Sequence, residues 1–403
     1  MSEPAPDRLR IAYVYRHFND NGSLSAGFRS RAERLSEHED VTVFASAASR
    51  VDATARLRFE TVEPLVVGEG RFRYAVECAS FAFRATRRLR ILRSQFDVIH
   101  VDGYAATEAD LVMVHAVRPA EIDHYFDTVE PSARLRRRLT PLIRPQSGVV
   151  IGVERRLFRS PYPLSLVLTR RIGDDLEREY GVPRELIEVM PYGVDLDSYR
   201  FNGEARVLER STMNVPGERL VLLFVGDNFE RKGLDRAIGA VARSRQNVEL
   251  WVAGGGVQDT YRELARSLGV ADRTRFLGRV PKERLTGVYS AADVFVLPSR
   301  QDAWGHPTIE AMAAGRVALV SEYSGSEEAV ESGVTGFVLD GGGSSEEIAA
   351  LLDGPLGRQE SRQAIGDRAV EAVTMFDRRV VAPRFRAAHH RAAELRRTRV
   401  AAT

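Results

Sequence analysis

Cysteine is all but absent from this 403-residue chain: Cys78 stands alone, so no intramolecular disulfide can form. That excludes a disulfide-stapled secreted scaffold and fits a reducing cytosol, with Cys78 read as a small buried apolar residue. Long apolar runs are missing too. No segment offers about 18 uninterrupted apolar residues, and the N-terminal MSEPAPDRLR has no apolar signal core. The expectation is a cytoplasmic protein that neither spans a membrane nor is secreted. An excess of either charge sign is also lacking, since 58 basic against 56 acidic residues leave a formal net charge of +2. No overall field recruits polyanions, and attraction to a nucleic acid or a membrane must come from local patches. There is no stacking aromatic series or reader module, which sets nucleic acid aside as a partner. HxxxH and CxxC patterns are missing as well. The formal D-x-D at Asp195–Asp197 lies at a domain hinge and not after a donor strand, so no metal site is expected.

What is there is a repeating strand and helix signal. RIAYVY (Arg10–Tyr15) and VTVFA (Val41–Ala45) flank a helix-like Ala26–Ser36. DVIHV, DLVMVH and SLVLT follow as further strands. After a break at Met190–Ser198 the pattern restarts with LVLLFVG, VELWVAGGG, RTRFLG and ADVFVLP, separated by helical stretches. The length suits two domains of roughly 200 residues. The fold class expected is therefore α/β, two Rossmann-like doubly wound parallel sheets in tandem, with ligands at the carboxyl ends of the strands. The domains are placed at residues 1–197 and 198–379, and a C-terminal helix of about 380–403 packs back on the first. Ser361–Arg397 reads as one long helical stretch rich in Arg and Ala.

Three loops of the second half carry chemistry. In FVGDNFERKG a buried strand ends at Gly226, and Arg231 and Lys232 stand just before Gly233 and a helix, where two cations suit a diphosphate. AGGG (Ala253–Gly256) lets a backbone pass close to a ligand. Gly278, Arg279 and Val280 follow RTRFL and offer backbone groups to a base edge. In DAWGHPTIE, Pro307 starts a helix, so Gly305, His306 and Thr308 are expected to offer unpaired amides to phosphate oxygens. Glu310 then suits a ribose and Asp302 a hexose, because carboxylates accept from sugar hydroxyls.

These segments resemble the retaining glycosyltransferases of family 4, whose fold, GT-B, faces two Rossmann-like domains across a cleft. The resemblance rests on VGDNFERKG, AGGG, FLGRV, AADVFVLPS, DAWGHPTIEAMAAG and SGSEEAVESGVTGFV in the C-terminal half, and on PYGVD (Pro191–Asp195) between the halves. The family's usual E-G-F-G-x-x-x-x-E-A-M-A-x-G appears here with Asp302 in place of the first Glu. FERKGLDR (Phe229–Arg236) is nearest to the lipopolysaccharide core glucosyltransferase branch.

The resemblance implies transfer, with retention, of a sugar from a nucleoside-diphosphate sugar to a hydroxyl of a glycan, lipid-linked or small-molecule acceptor. Neither a metal nor another cofactor is expected. Arg231 and Lys232 would hold the diphosphate, Glu310 the ribose and Asp302 the sugar. Gly305, His306, Pro307 and Thr308 would meet phosphate or sugar, and Gly278–Val280 would border the base. Gly226 ends the phosphate strand, Gly22 is the phosphate-proximal turn of the first domain, and His115 is the donor-side histidine. Many members carry a basic residue where Asp227 stands, and the first-domain Gly-Gly turn is replaced by Asn-Gly. A non-catalytic nucleotide-sugar-binding subunit of the same fold is the alternative. Arginine runs at Arg84–Arg93 and Arg134–Arg144 could lie on the inner face of an anionic membrane; they read equally well as solvated helix faces.

Overall fold

The computed structural model describes residues 8–16, 23–46, 54–128, 140 and 144–401. Gly22, Arg134, Arg136, Arg137 and Arg138 lie outside them. The chain divides into two compact units: residues up to Met190 together with those from Ala382 onward, and Pro191–Val381. The first cut falls inside the break read at Met190–Ser198.

The described residues of the first unit form a seven-stranded sheet from β1 (Arg10–Val14), β2 (Asp40–Ala45), β3 (Leu57–Thr61), β4 (Val98–Asp102), β5 (Leu111–Val114), β6 (Leu164–Val167) and β7 (Ile187–Val189). Its order is β3-β2-β1-β4-β5-β6-β7 and every pairing is parallel. The runs IAYV, VIHV and LVMV of the central strands are buried throughout, as continuous apolar runs require when helices cover both faces. Helix Gly70–Ile91 buries Ala75, Cys78, Phe81, Ala82, Ala85 and Leu89, an i, i+3, i+4 stripe that packs Phe81, Ala85 and Leu89 against Ile99 and Val101 of β4.

The second unit holds β8 (Leu220–Val225), β9 (Val248–Ala253), β10 (Thr274–Gly278), β11 (Val294–Leu297), β12 (Val317–Ser321) and β13 (Gly336–Leu339). Their order is β10-β9-β8-β11-β12-β13, again all parallel. Of the four outermost strands, β10 is the run RTRFLG, whereas β3, β7 and β13 are not apparent as strands from the sequence. They are short and only partly buried, so they lack the long apolar run that marks a central strand.

The C-terminal stretch is not one helix. Gln359–Ala372 runs into a 3₁₀ turn at Val373–Phe376, Asp377 is extended, and a second helix occupies Arg378–Ala401 with Pro383 inside it. The break is fixed by Asp377, whose carboxylate accepts from the Arg379 amide at 2.7 Å while its backbone bridges Val194. From Ala382 the helix belongs to the first unit. Buried Glu39 accepts from Arg386 Nε at 2.6 Å and from the Leu9 amide at 2.7 Å, and its Oε1 is 2.9 Å from His390 Nε2. Next to it, buried His389 Nε2 meets buried His100 Nδ1 at 3.0 Å, and the Phe385 carbonyl lies 2.8 Å from His389 Nδ1.

Burial holds both imidazoles below their ordinary value, His389 at about 4. For Glu39, burial acts upward, but Arg386, the Leu9 amide and His390 outweigh it and keep the carboxyl below its usual range. In all three cases the unfolded chain binds the proton more readily. The stabilisation is therefore whole above the ordinary histidine value and is lost as the pH falls toward about 4, with Glu39 adding to the loss at the acid end. The melting temperature should fall across that window, and His389→Leu should flatten the slope between pH 6.5 and 4. A parallel slope in the variant would assign the pH dependence elsewhere.

Candidate active site

In a wholly parallel sheet the carboxyl ends of the strands share one edge, and at the point where strand order reverses the flanking loops part to leave a crevice. In the second unit that point lies between β8 and β11. The loop after β8 and the loop after β11 are thus neighbours although some 70 residues separate them. The Arg300 amide donates to the Arg231 carbonyl at 2.8 Å and ties the two loops together.

Three of the residues singled out by sequence meet here. Lys232 Nζ donates to Asp302 Oδ2 at 2.8 Å, and Arg231 Nη1 donates to Asp302 Oδ1 at 3.2 Å and to the Gln301 carbonyl at 3.1 Å. Asp302 is buried, and its own amide donates to the Tyr323 carbonyl at 2.8 Å. Burial pushes the Asp302 carboxyl up, but Lys232 and Arg231 together outweigh it and hold it below the usual carboxylate range. Two cations share one anion, which leaves the cluster net positive. Gly226 serves this arrangement directly, because the Lys232 stem crosses it so closely that a Cβ would lie 2.1 Å from Lys232 Cδ. Gly233 sits at φ 74° ahead of helix Leu234–Arg243, where a Cβ would stand 2.1 Å from the Pro298 carbonyl oxygen.

Helix His306–Ala313 starts as expected, with Pro307 in its first turn and no side-chain cap. The amides differ from expectation. His306 N–H donates to the Trp304 carbonyl at 3.2 Å and Thr308 N–H to the Gly305 carbonyl at 2.9 Å, so a tightened first turn already uses both. Thr308 Oγ1 accepts from buried Ser326 at 2.8 Å, and Gly305 makes room for the same hydroxyl, which a Cβ would approach to 2.6 Å. The His306 ring stacks on Tyr192 with centroids 5.1 Å apart.

Glu310 faces two tyrosines that no sequence pattern singles out. Tyr289 Oη donates to Glu310 Oε2 at 2.6 Å, and Tyr199 packs edge-on against Tyr289 at 5.8 Å. Burial pushes the Glu310 carboxyl up, and the two hydroxyls work against that rise. No local spacing marks either tyrosine, because each reaches Glu310 only through the packing of its own element. On the far side of β8, Asp227 has a structural role, in which Oδ1 accepts from the Gly255 amide at 2.7 Å and Oδ2 lies 3.6 Å from Arg279 Nη2. Arg279 lies across Gly255, where a Cβ would stand 2.3 Å from its Nε. Gly278 ends β10 at φ 68°, its carbonyl accepting from the Gly254 amide at 2.8 Å, and Val280 is half-buried beyond it.

In the first unit His115 follows β5 and its Nε2 is hydrogen-bonded to Asp102 Oδ1. Asp102, the last residue of β4, is buried and accepts from Tyr13 Oη at 3.1 Å and from Arg31 Nη2 at 3.4 Å. Asp102 escapes the sequence reading; an acid closing an otherwise apolar buried strand is the available signal. Most of the arginine run on helix Gly70–Ile91 and the 3₁₀ turn after it is engaged: Arg84 with the Glu63 carbonyl, Arg88 with Glu60, Arg90 with Glu108 and Arg93 with Asp110. Among the described residues no helix is long and apolar enough to cross a membrane.

Two parallel-sheet units, the second with cations at its strand-order reversal, define a tandem Rossmann-like architecture, and sequence relationships narrow it. Residues 27–198 match the model of Glycosyltransferase Family 4 and residues 208–372 that of Glycosyl transferases group 1. The D-inositol 3-phosphate glycosyltransferase of Xylanimonas cellulosilytica is 31% identical over 68% of this chain and 67% of its own length. That of Corynebacterium glutamicum is 33% identical over 52% of this chain and 53% of its own, so the chain spans only about half the length of that relative. Among solved structures, WaaG, a glycosyltransferase involved in lipopolysaccharide biosynthesis, superposes with a TM-score of 0.76 at 21% identity, covering 94% of this chain and 99% of its own. HepE of Anabaena in complex with UDP-glucose gives a TM-score of 0.67 at 17% identity, covering 97% and 100%. The chain belongs to glycosyltransferase family 4 and has its GT-B fold.

Removing the 2.6 Å bond to Glu310 with Tyr289→Phe should destabilise the second unit by about 1–2 kcal/mol, the usual cost of leaving a buried acceptor short of a donor. Guanidinium titration of the two proteins measures it, and an unchanged midpoint would mean that Tyr199 alone suffices.

Proposed function

We propose that the chain is a retaining glycosyltransferase that moves a sugar from a nucleoside-diphosphate sugar to a hydroxyl of a glycan, lipid-linked or small-molecule acceptor. The observation that carries this reading is the cluster of Lys232, Arg231 and Asp302 at the strand-order reversal of the second unit. A leaving diphosphate gains negative charge as the glycosidic bond breaks. Cations already fixed at that place stabilise the transition state more than the ground state, and their ordering is complete before reaction. Asp302 does the ordering: it holds both side chains in place while cancelling only one of their two charges.

Glu310 takes the ribose hydroxyls, oriented by Tyr289 and Tyr199. The loop from Gly305 to Thr308 borders the sugar and phosphate, and Gly278, Arg279 and Val280 border the base. In this reading no metal is needed, because the charge it would neutralise meets Arg231 and Lys232. Asp302 and Glu310 are not the nucleophile and acid of a glycoside hydrolase; a front-face, ion-pair-like displacement passes the acceptor proton to the departing phosphate. For His115 the resemblance supports a role toward the donor; its Nε2 is held by Asp102.

A thermal-shift series with UDP-, GDP-, ADP- and TDP-sugars tests the donor assignment, since a bound donor raises the melting temperature by mass action. At least one nucleotide sugar should stabilise the protein, and Arg231→Ala should remove the shift. A full shift in the variant would overturn the diphosphate assignment. Asp302→Glu, one methylene longer and so reaching about 1.5 Å further, should change donor preference or rate. Equal rates with every donor would mean that the length of this acid is immaterial.

Contact with an anionic membrane is assigned to the same unit as His115, around Phe83, which is 69% exposed, and the neighbouring Arg87. Phe83→Ala with Arg87→Gln should lower the fraction that sediments with phosphatidylglycerol vesicles. Equal sedimentation with neutral vesicles would remove the assignment.

A further inference from the structure

The sheet of the second unit has an opposite edge, where its strands begin, and a cavity of about 590 Å³ opens there within residues 191–381. One wall is the segment 314–316 that leads from helix His306–Ala313 into β12; Val370, Val373, Val380 and Phe201 supply the others. Phe201, Val370 and Val380 are 51%, 40% and 46% exposed, so three large apolar side chains face solvent around one concavity. Such a grouping marks a binding surface, which single exposed apolar residues do not.

Arg316 lines the same cavity and is only 9% exposed. Its Nε donates to the Ala314 carbonyl and its Nη1 to the Ala292 carbonyl, each at 2.9 Å, and its guanidinium lies 4.9 Å from the centre of the Phe201 ring. Holding those two carbonyls uses two of its three nitrogens. Among the described residues Nη2 makes no hydrogen bond, and no carboxylate stands within ion-pair reach. Burial lowers Arg316 to about 10, which still leaves it a cation at neutral pH. The other charges around the cavity are engaged: Arg379 Nη2 donates to Asp377 at 2.6 Å, Arg200 pairs with Asp197 at 2.9 Å, and Asp367 accepts from Gln363 at 2.7 Å. A buried charge without a counter-ion is costly, and an incoming anion relieves that cost.

We infer that this cavity binds an aliphatic monocarboxylate, with its head on Arg316 Nη2 and its chain along Phe201, Val370 and Val380. One unmet guanidinium nitrogen calls for one negative charge. Asp367 acts on Arg316 as an opposite charge without pairing with it, and so opposes a second negative charge on the ligand, which sets a phosphate dianion aside. The volume lies within the range of about 300–1,000 Å³ usual for small-molecule sites and suits a chain of medium length. Segment 314–316 precedes β12, whereas Lys232 and Asp302 follow β8 and β11 at the carboxyl edge, so the ligand is distinct from the sugar donor and independent of the transferase reading.

Calorimetric titration of the full chain with octanoate tests the site. Saturable binding is expected, about tenfold weaker for hexanoate, which buries two methylenes fewer, and absent for octylamine, whose charge has the wrong sign. Arg316→Gln should weaken octanoate about tenfold or more. So should Val370→Glu, which sets an acid in the wall at an exposed position. Arg316 also holds two carbonyls, so the melting temperature of its variant is measured alongside; if that variant does not fold, Val370→Glu and Phe201→Ala decide, and both should weaken binding. Arg231→Ala with Lys232→Ala should bind octanoate as the wild type does. No binding, equal binding of octylamine, or binding indifferent to Val370→Glu or to a folded Arg316→Gln overturns the proposal. Loss of binding in the Arg231 and Lys232 variant overturns it as well, because octanoate then sits on the cations of the candidate active site.

Discussion

A parallel sheet covered on both faces has no polar surface to offer, and everything chemical in this protein follows from that constraint. The strands are spent on burial: from Leu220 to Phe224, and along the whole of β9, β11 and β12, every residue is buried. Charged and hydroxylic side chains collect instead in the loops at the carboxyl edge, densest where strand order reverses. In the second unit this brings the ERKG loop against the QDAWG loop. In the first it brings the ends of β1, β4 and β5 together.

Most central strands are plain in the sequence because burial on both faces writes an unbroken apolar run, although the short β12 is not among those read. Three of the four edge strands are not, because partial burial writes none; β10 is the exception. The same division holds at the site. Arg231, Lys232, Asp302 and Glu310 stand out through glycines, a proline and charges packed into short segments. What Asp302 touches does not, since the pairing joins two loops that only the sheet order makes neighbours. Tyr289, Tyr199 and Asp102 carry no strong local mark. The amides of His306 and Thr308 look available because sequence shows where a helix starts and not how tightly its first turn closes.

The substitution of Asp for the family's usual first Glu has a local counterpart in the structure. A carboxylate on a shorter stem, drawn to both Lys232 and Arg231, keeps them apart yet fixed, and the closeness of the Lys232 stem to Gly226 shows how little slack the loop has. Asp227, where a cation is common in the family, likewise turns inward to gather Gly255 and Arg279. Positive charge at this edge is thereby gathered on the side of the unit where Asp302 lies.

The C-terminal helix bears on how this protein can be divided. The first unit is not a contiguous length of chain, since its last part arrives only after the whole of the second has been made. A fragment ending at Met190 would lack Arg386 and His390 for buried Glu39, and His389 for His100. During synthesis the first unit therefore waits, with an acid and an imidazole uncovered, until the ribosome has finished the other. Folding order along the chain and order of emergence from the ribosome differ, and the unit begun first is completed last.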